Sequence, residues 1–288
     1  MIINRVFQIL KVILYILLIL LLIGAQAIEM MRTYVPKNTD FFKKYENVSG
    51  KINYPSSNKE ISILFLGDSF VNGVGGSKKQ IEKNGPPLAR YISSIISKEK
   101  KINITYRSLS KSGANIIKIR KNLSEKIEKN FDYVVLLCGG NDFKKFSKGE
   151  IENSPYKFRR NLEEFIGYIK KKVDNPVVFL PGYPTDLTII DQPLRFTIKI
   201  LANIYDNQKK SVCKRKMGCI YLNPMTKKKK LILQNNCHKF ISDDGIHPND
   251  LGYFIFAKNI AENIIYHMKP TRIPEKPTRI PEKPTGNL

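Results

Sequence analysis

Five short strand candidates, most of them apolar and separated by segments of helical length, constrain the fold of this chain more than any other feature. The candidates lie at Ile61–Leu66, Ile102–Leu109, Tyr133–Leu137, Val177–Leu180 and Cys219–Leu222. Helical segments are expected at Pro87–Ile96, Ile116–Glu128, Pro155–Lys172, Leu194–Tyr205 and Asp250–His267. Short apolar strands that alternate with helices predict a mostly parallel sheet with helices on both faces. The expected fold class is therefore α/β, a three-layer α/β/α sandwich with a sheet of about five strands.

Composition divides the 288-residue chain into one domain and its extensions. We expect a signal peptide or membrane anchor at residues 1–28, a polar tether at 29–60, the α/β domain at 61–268 and a proline-rich tail at 269–288. The tail repeats Pro-Thr-Arg-Ile-Pro-Glu-Lys from Pro270 and again from Pro277. Proline at this density favours an extended, disordered segment, and the sequence does not identify a protein partner for it.

The first 28 residues combine a basic head with an uninterrupted apolar run. Arg5 and Lys11 flank the start of the run Val12–Ile23, and Ala25-Gln26-Ala27 follows it. This pattern fits an export signal cleaved near Ala27, and the longer apolar segment at 6–28 equally fits an uncleaved membrane anchor. Four basic residues between positions 32 and 44 oppose an outward orientation, although long domains are exported largely regardless of such charges. Both interpretations predict an extracytoplasmic domain, either anchored facing outward or released.

The formal net charge of +24 raises the question of a nucleic-acid partner. Lysine is dispersed over nearly every segment, and the densest run, Lys227–Lys230, has no nucleic-acid motif beside it. We therefore expect a solvated basic surface and no nucleic-acid partner.

The four cysteines do not indicate a metal site. Cys138 ends an apolar run and is expected to be a buried thiol, whereas Cys213, Cys219 and Cys237 lie in polar segments. An exported protein can pair two of these three, and the sequence leaves the pair open. Cys237-His238 lacks a second ligand pair at zinc-site spacing, so neither a metal nor another cofactor is expected.

The first apolar run stops at Gly67-Asp68-Ser69. Ligands of parallel α/β sheets bind beyond the carboxyl ends of the strands, so Ser69 is expected at the mouth of the fold. The alternative is an ordinary turn, which the same three residue types favour.

Three further polar blocks favour a functional role for Ser69 over an ordinary turn. One is a small-residue loop with Gly113, the next contains Gly139-Gly140-Asn141-Asp142, and the third places Asp244 three residues before His247. Each block has a structural alternative, such as a turn or a helix cap. Together they supply a nucleophile, a base with an orienting acid, and hydrogen-bond donors, which are the parts that acyl transfer needs.

The four blocks, in this order, resemble the SGNH or GDSL-type serine hydrolases. The resemblance implies a flavodoxin-like hydrolase fold in which Ser69 is the nucleophile, His247 the base and Asp244 its partner. It implies an oxyanion hole built from the N–H groups of Ser69 and Gly113 and the side-chain amide of Asn141. Asp68 and Asp142 are expected to brace the loops. Phe70 and Ser108 depart from common family residues, which leaves the subfamily open.

The resemblance implies an extracytoplasmic serine esterase that hydrolyses acyl esters of a lipid or an acetylated envelope polysaccharide. Two alternatives stay open: an acyltransferase or acetyl-esterase that modifies surface glycans, and a non-catalytic binding module. The region from Pro181 to Lys216, with its apolar stretch followed by basic residues, is our candidate for a substrate-shaping insertion.

Overall fold

The structure is a computed structural model that describes residues 39–183, 194–223 and 239–268, with isolated positions between 10 and 29. The side chains at 194–198 and 201 are not part of this description. The proline-rich tail, the lysine run at 227–230, Cys237 and most of the expected signal or anchor lie outside the described residues. Within the described residues, no helix combines the length and the apolar composition that a membrane crossing requires.

A six-stranded, mostly parallel sheet forms the centre of the molecule. Its strands are β1 (Asn47–Ile52), β2 (Glu60–Gly67), β3 (Asn103–Ser110), β4 (Tyr133–Leu136), β5 (Val177–Pro181) and β6 (Cys219–Leu222). Their spatial order is β1-β3-β2-β4-β5-β6, and only β1 pairs antiparallel to its neighbour.

Helices connect the strands and cover the sheet. They are α1 (Thr39–Lys43), α2 (Ser69–Asn72), α3 (Lys78–Asn84), α4 (Pro87–Lys100), α5 (Ile116–Leu123), α6 (Gly140–Ser147), α7 (Pro155–Lys172), α8 (Leu194–Arg215) and α9 (Asp250–His267). Short 3₁₀ turns lie at Ser124–Lys126 and Ile151–Asn153.

Alternate residues of β2 face opposite core layers, because successive side chains of a strand point to opposite faces of the sheet. Ile63 and Phe65 pack in the layer that α4 and α9 cover. Leu64 and Leu66 pack in the layer that α5, α7 and α8 cover. All four side chains are fully buried, as expected for a central parallel strand. The prediction of a three-layer α/β sandwich is confirmed.

The expected polar tether differs from the structure over residues 39–52. Asn47–Ile52 pairs with β3 as the antiparallel edge strand, and Phe42 of α1 packs against Val74 and Ile81. Exposed and half-buried residues alternate along β1, so it lacks the continuous apolar run that marks the central strands. Backbone pairing with β3 and the packing of Ile52 against the core hold β1 in the sheet, and the pairing is not revealed by the side-chain pattern.

The expected substrate-shaping insertion also differs from the structure. Leu194–Arg215 is one long helix whose Tyr205 and Val212 lie in the core layer beneath the sheet. It is the crossover helix between β5 and β6, which a parallel connection requires. Residues 184–193 lie outside the described residues.

The carboxyl ends of the strands meet at one edge of the sheet. Gly67 of β2 is in register with Ser110 of β3, and Leu66 is in register with Leu136 of β4. The segments that carry Ser69, Gly113 and Asn141 therefore leave the sheet from neighbouring positions.

Candidate active site

The close approach of β2 to its neighbour places Ser69 at the sheet edge. A Cβ atom on Gly67 would lie 2.6 Å from both the Leu137 carbonyl oxygen and the Val71 side chain. Glycine at this position therefore lets the chain turn directly into the one-turn helix Ser69–Asn72. Ser69 is the first residue of that helix, so its N–H has no intrahelical acceptor.

Asp68 caps this short helix from a fully buried position. Its Oδ1 accepts a hydrogen bond from the Phe70 N–H at 3.1 Å. Its Oδ2 accepts from Asn141 Nδ2 at 3.1 Å and from the Tyr183 hydroxyl at 3.0 Å. Burial raises the pKa of Asp68, and the Phe70 N–H and the Tyr183 hydroxyl limit the rise because they favour the charged form.

His247 reaches Ser69 from the loop before α9. The loop is closed by the isolated bridge between Ile241 and Pro248 and by a 2.9 Å bond from the Ser242 N–H to the His247 carbonyl. His247 Nε2 lies 2.8 Å from Ser69 Oγ, and both side chains are buried. An imidazole nitrogen at this distance can take the hydroxyl proton.

Asp244 lies behind His247, on the side away from Ser69. Its Oδ2 is 2.6 Å from His247 Nδ1. Its Oδ1 accepts the N–H groups of Ile246 and His247 at 2.9 and 2.8 Å and the Ser242 hydroxyl at 2.9 Å. Burial raises the pKa of Asp244, but the hydrogen bonds and charge of His247 and the two backbone donors outweigh it and hold the pKa well below its usual range. The structure thus brings together Ser69, His247 and Asp244.

Two further predicted donors lie at the same edge. Gly113 has φ +70°, and a Cβ atom there would meet nothing within 4 Å, so its backbone borders open space. The loop is tied to β2 by a 3.0 Å bond from the Lys111 N–H to the Gly67 carbonyl. Asn141 Nδ2 carries two hydrogens, and one of them is donated to Asp68. The second hydrogen of the amide can serve another acceptor.

Asp142 joins two elements of this edge and is buried. Both of its carboxylate oxygens lie 3.1 Å from the Ile116 N–H, at the start of α5. It therefore binds the N-terminus of a neighbouring helix rather than capping its own. Burial raises the pKa of Asp142 to about 7 against the effect of this backbone bond.

Tyr183, Asp206 and Lys209 also lie at this edge, and none of them was predicted as a site residue from the sequence. Tyr183 lies two residues after the end of β5, as Ser69 does after β2, so the rule that placed Ser69 and Asn141 after strands could also have found it. Lys209 and Asp206 lie within α8, where nothing distinguishes this lysine from the chain's many others. Lys209 is 1% exposed, which only the structure reveals.

Comparison with known proteins identifies the family. The GDSL-like lipase/acylhydrolase family matches residues 65–255, which contain Ser69, Gly113, Asn141, Asp244 and His247. No curated protein matches the chain significantly.

Solved structures with the same fold are remote in sequence. A family 3 carbohydrate esterase from Clostridium thermocellum is 19% identical over 73% of this chain and 98% of its own, with a TM-score of 0.50. The acetylxylan esterase Axe2 from Geobacillus stearothermophilus is 14% identical over 73% and 96%, with a TM-score of 0.53. An extracellular lipase from Streptomyces rimosus is 14% identical over 71% and 99%, with a TM-score of 0.51. These likenesses support the fold, and the family match extends over most of the chain. The chain belongs to the GDSL-like lipase/acylhydrolase family and is an ester-hydrolysing enzyme.

Proposed function

We propose that this protein is an extracytoplasmic serine esterase that hydrolyses acyl esters through a Ser69–His247–Asp244 triad and a covalent acyl-enzyme. The observation that carries the proposal is the continuous hydrogen-bonded chain from Asp244 through both ring nitrogens of His247 to the Ser69 hydroxyl. A serine hydroxyl is a weak nucleophile until a neighbouring base takes its proton.

In the first half-reaction, Ser69 Oγ attacks the ester carbonyl while His247 Nε2 accepts the proton. Asp244 holds the Nδ1–H of the ring and stabilises the imidazolium that forms. Its short contact to Nδ1 and its charged state at neutral pH both support this role.

The tetrahedral oxyanion needs donors at the position where negative charge develops. The Ser69 N–H, the Gly113 N–H and the free hydrogen of the Asn141 amide are the proposed donors. Removal of one such donor typically costs about 3 to 4 kcal/mol in the barrier, or two to three decades of rate.

The first half-reaction ends when imidazolium His247 protonates the leaving alcohol, so that the C–O bond to the alcohol breaks and the acyl group remains on Ser69. In the second half-reaction His247 takes a proton from a water molecule that attacks the acyl-enzyme. The same proton then returns to Ser69 Oγ as the acid leaves, which restores the Ser69 hydroxyl.

The proposed substrates are acyl esters of a lipid or an acetylated envelope polysaccharide. Structures with this fold include both an acetylxylan esterase and a lipase, so the fold accommodates either kind of ester. An activity profile across acyl-chain lengths and acetylated sugars separates them. The extracytoplasmic setting rests on the apolar run at Val12–Ile23 and the Ala25-Gln26-Ala27 site, and cell fractionation tests it.

Hydrolysis of a short-chain ester by Ser69→Ala and His247→Ala tests the chemistry. We expect both variants to lose about three decades or more of kcat while remaining folded, since the two side chains act as one unit. Undiminished hydrolysis in either purified variant would contradict the proposal.

A further inference from the structure

A buried network lies behind the Asn141 amide. Asp68 Oδ2 accepts from both Asn141 Nδ2 and the Tyr183 hydroxyl, at 3.1 and 3.0 Å. The two donors share one oxygen of a fully buried carboxylate, so the position of that oxygen depends on both. An amide group is planar, so fixing one hydrogen of Asn141 also fixes the direction of the other.

The network continues from Tyr183 into α8. The Tyr183 N–H faces the Asp206 carboxylate, with distances of 3.4 and 3.3 Å to its two oxygens. Lys209 Nζ lies 3.0 Å from Asp206 Oδ1 and donates to the Pro181 carbonyl at 3.1 Å. Lys209 and Asp206 are 1% and 5% exposed. Burial would lower the pKa of Lys209, but the charge of Asp206 holds it above the ordinary value, so Lys209 keeps its charge.

The Tyr183 ring is fixed by packing as well as by its hydroxyl. It lies edge-on to Phe70 at 5.0 Å between ring centroids, and Lys209 Nζ is 5.5 Å from its centroid. It also packs against the backbone of Gly140, where a Cβ atom would overlap the ring. A phenol held on three sides aims its hydroxyl at Asp68 with little freedom.

We propose that Tyr183 is a positioning residue for the oxyanion hole: through Asp68 it fixes the orientation of the Asn141 amide, and the buried Lys209–Asp206 pair anchors Tyr183 in turn. The role rests on the proposed esterase function. A purely structural role for the same contacts would affect folding stability without affecting the transition state selectively.

Tyr183→Phe removes the hydroxyl and keeps the ring. We expect kcat for a short-chain ester to fall about tenfold with KM changed less than about twofold, because a loosened donor is lost mainly from the transition state. The loss should be smaller than that of Asn141→Ala, which removes the donor itself. Tyr168→Phe is the matched control, since it deletes a hydroxyl bonded to the Ser124 carbonyl, and its kcat should stay at the wild-type value. Wild-type kcat in folded Tyr183→Phe would overturn the proposal.

A double-variant comparison decides whether Tyr183 acts through Asn141. In an Asn141→Ala background, Tyr183→Phe should change kcat by less than about twofold, because the amide it orients is absent. A further full tenfold loss would mean independent action and would overturn the proposal. Ser69→Ala in the same assay distinguishes failure of the esterase mechanism from failure of the positioning role. Full activity of Ser69→Ala would contradict both. An inactive Ser69→Ala variant together with wild-type kcat in Tyr183→Phe would overturn the positioning role alone.

Discussion

At the scale of single residues, the carboxylate of Asp244 does two things at once. One oxygen meets His247 Nδ1, and the other accepts two backbone N–H groups and the Ser242 hydroxyl. The loop conformation and the orientation of the imidazole therefore depend on the same side chain. An amide in this position would keep the shape but lose one acceptor and the charge.

Asp244→Asn is accordingly expected to lower kcat by roughly two to four decades, because the ring loses the partner that selects its tautomer and stabilises the imidazolium. The adjacent Asp243 is exposed, so Asp243→Asn is the matched control and should retain wild-type kcat. Steady-state kinetics on a short-chain ester measures both. An Asp244→Asn variant within threefold of wild type would show that Asp244 is not the partner of His247.

The raised pKa of Asp142 leads to a second prediction for a single residue, which concerns the pH dependence of folding stability. Burial raises the pKa of Asp142 to about 7, so between about pH 4 and 7 the folded state holds a proton that the unfolded state has released. The contribution of this group to stability therefore falls as the pH rises through that window. Asp142→Asn is neutral throughout and lacks this dependence.

Thermal unfolding of wild type and Asp142→Asn at pH 4 to 7 measures the effect. The stability of wild type relative to the variant should fall across the window by up to about 4 kcal/mol. Asp174→Asn, at an exposed turn, should track wild type at every pH. A constant difference between wild type and Asp142→Asn would contradict the raised pKa.

The residues of the site differ in how far sequence alone could reveal them. Asp244 and His247 are three positions apart, so a local pattern could predict their contact. Ser69 and Asn141 follow strands, and the rule that sites lie beyond the carboxyl ends of parallel strands could predict that both lie at the same edge of the sheet. The contact between Tyr183 and Asp68 joins positions 115 residues apart, and no local pattern encodes it. Burial of Lys209 depends on the packing of α8 against the whole sheet.

At the scale of elements, the central strands β2, β3 and β4 were predictable from the sequence, and the edge strand β1 was not. β2 and β4 are mostly buried on both faces, so each shows an apolar run, whereas apolar and polar residues alternate along the first half of β3. The predicted bounds of all three strands fall within one residue of the structure. β1 carries polar residues on its exposed side and was interpreted as tether. The helix at Gly140–Ser147 was not predicted, because Gly139 and Gly140 indicated a tight exit from the sheet and a helix cap at Asn141-Asp142 was considered only as an alternative.

The end of α8 meets the start of β6 through two cysteines. Cys213 Sγ and Cys219 Sγ lie 2.7 Å apart as free thiols. With oxidised glutathione as the oxidant, we expect them to close a disulfide, with two electrons and two protons reducing glutathione disulfide to two thiols. Such a short loop should add about 2 kcal/mol to the free energy of unfolding.

Measurements of intact mass and of thermal unfolding, before and after oxidation, test for the Cys213–Cys219 disulfide. The mass should fall by two hydrogen atoms and the unfolding midpoint should rise, while Cys213→Ser shows neither change. Cys138 is buried with a raised thiol pKa and should stay reduced. Persistence of both thiols after complete exposure to the oxidant would contradict the prediction.

At the scale of the whole molecule, the domain begins before the first central strand. β1 covers the edge of β3, and Phe42 fills a small core with Val74 and Ile81. A chain that begins at residue 61 would lose both and would leave the β3 edge unpaired. Burial of one phenylalanine alone is worth about 1.5 to 3 kcal/mol.

We therefore expect residues 39–268 to give a monomeric, folded protein and residues 61–268 to give a less stable one that aggregates. Size-exclusion chromatography and thermal unfolding of the two chains compare them directly. Equal midpoints and equal elution would mean that residues 39–60 are a tether after all.

The central claim is that Ser69 is a nucleophile activated by His247, and covalent labelling tests it most directly. A fluorophosphonate probe should form one adduct per chain, located at Ser69 by peptide mass spectrometry. Ser69→Ala should abolish the adduct, and His247→Ala should slow its formation by about two decades or more. Absence of an adduct on the folded wild-type protein, or an adduct that persists in Ser69→Ala, would contradict the account.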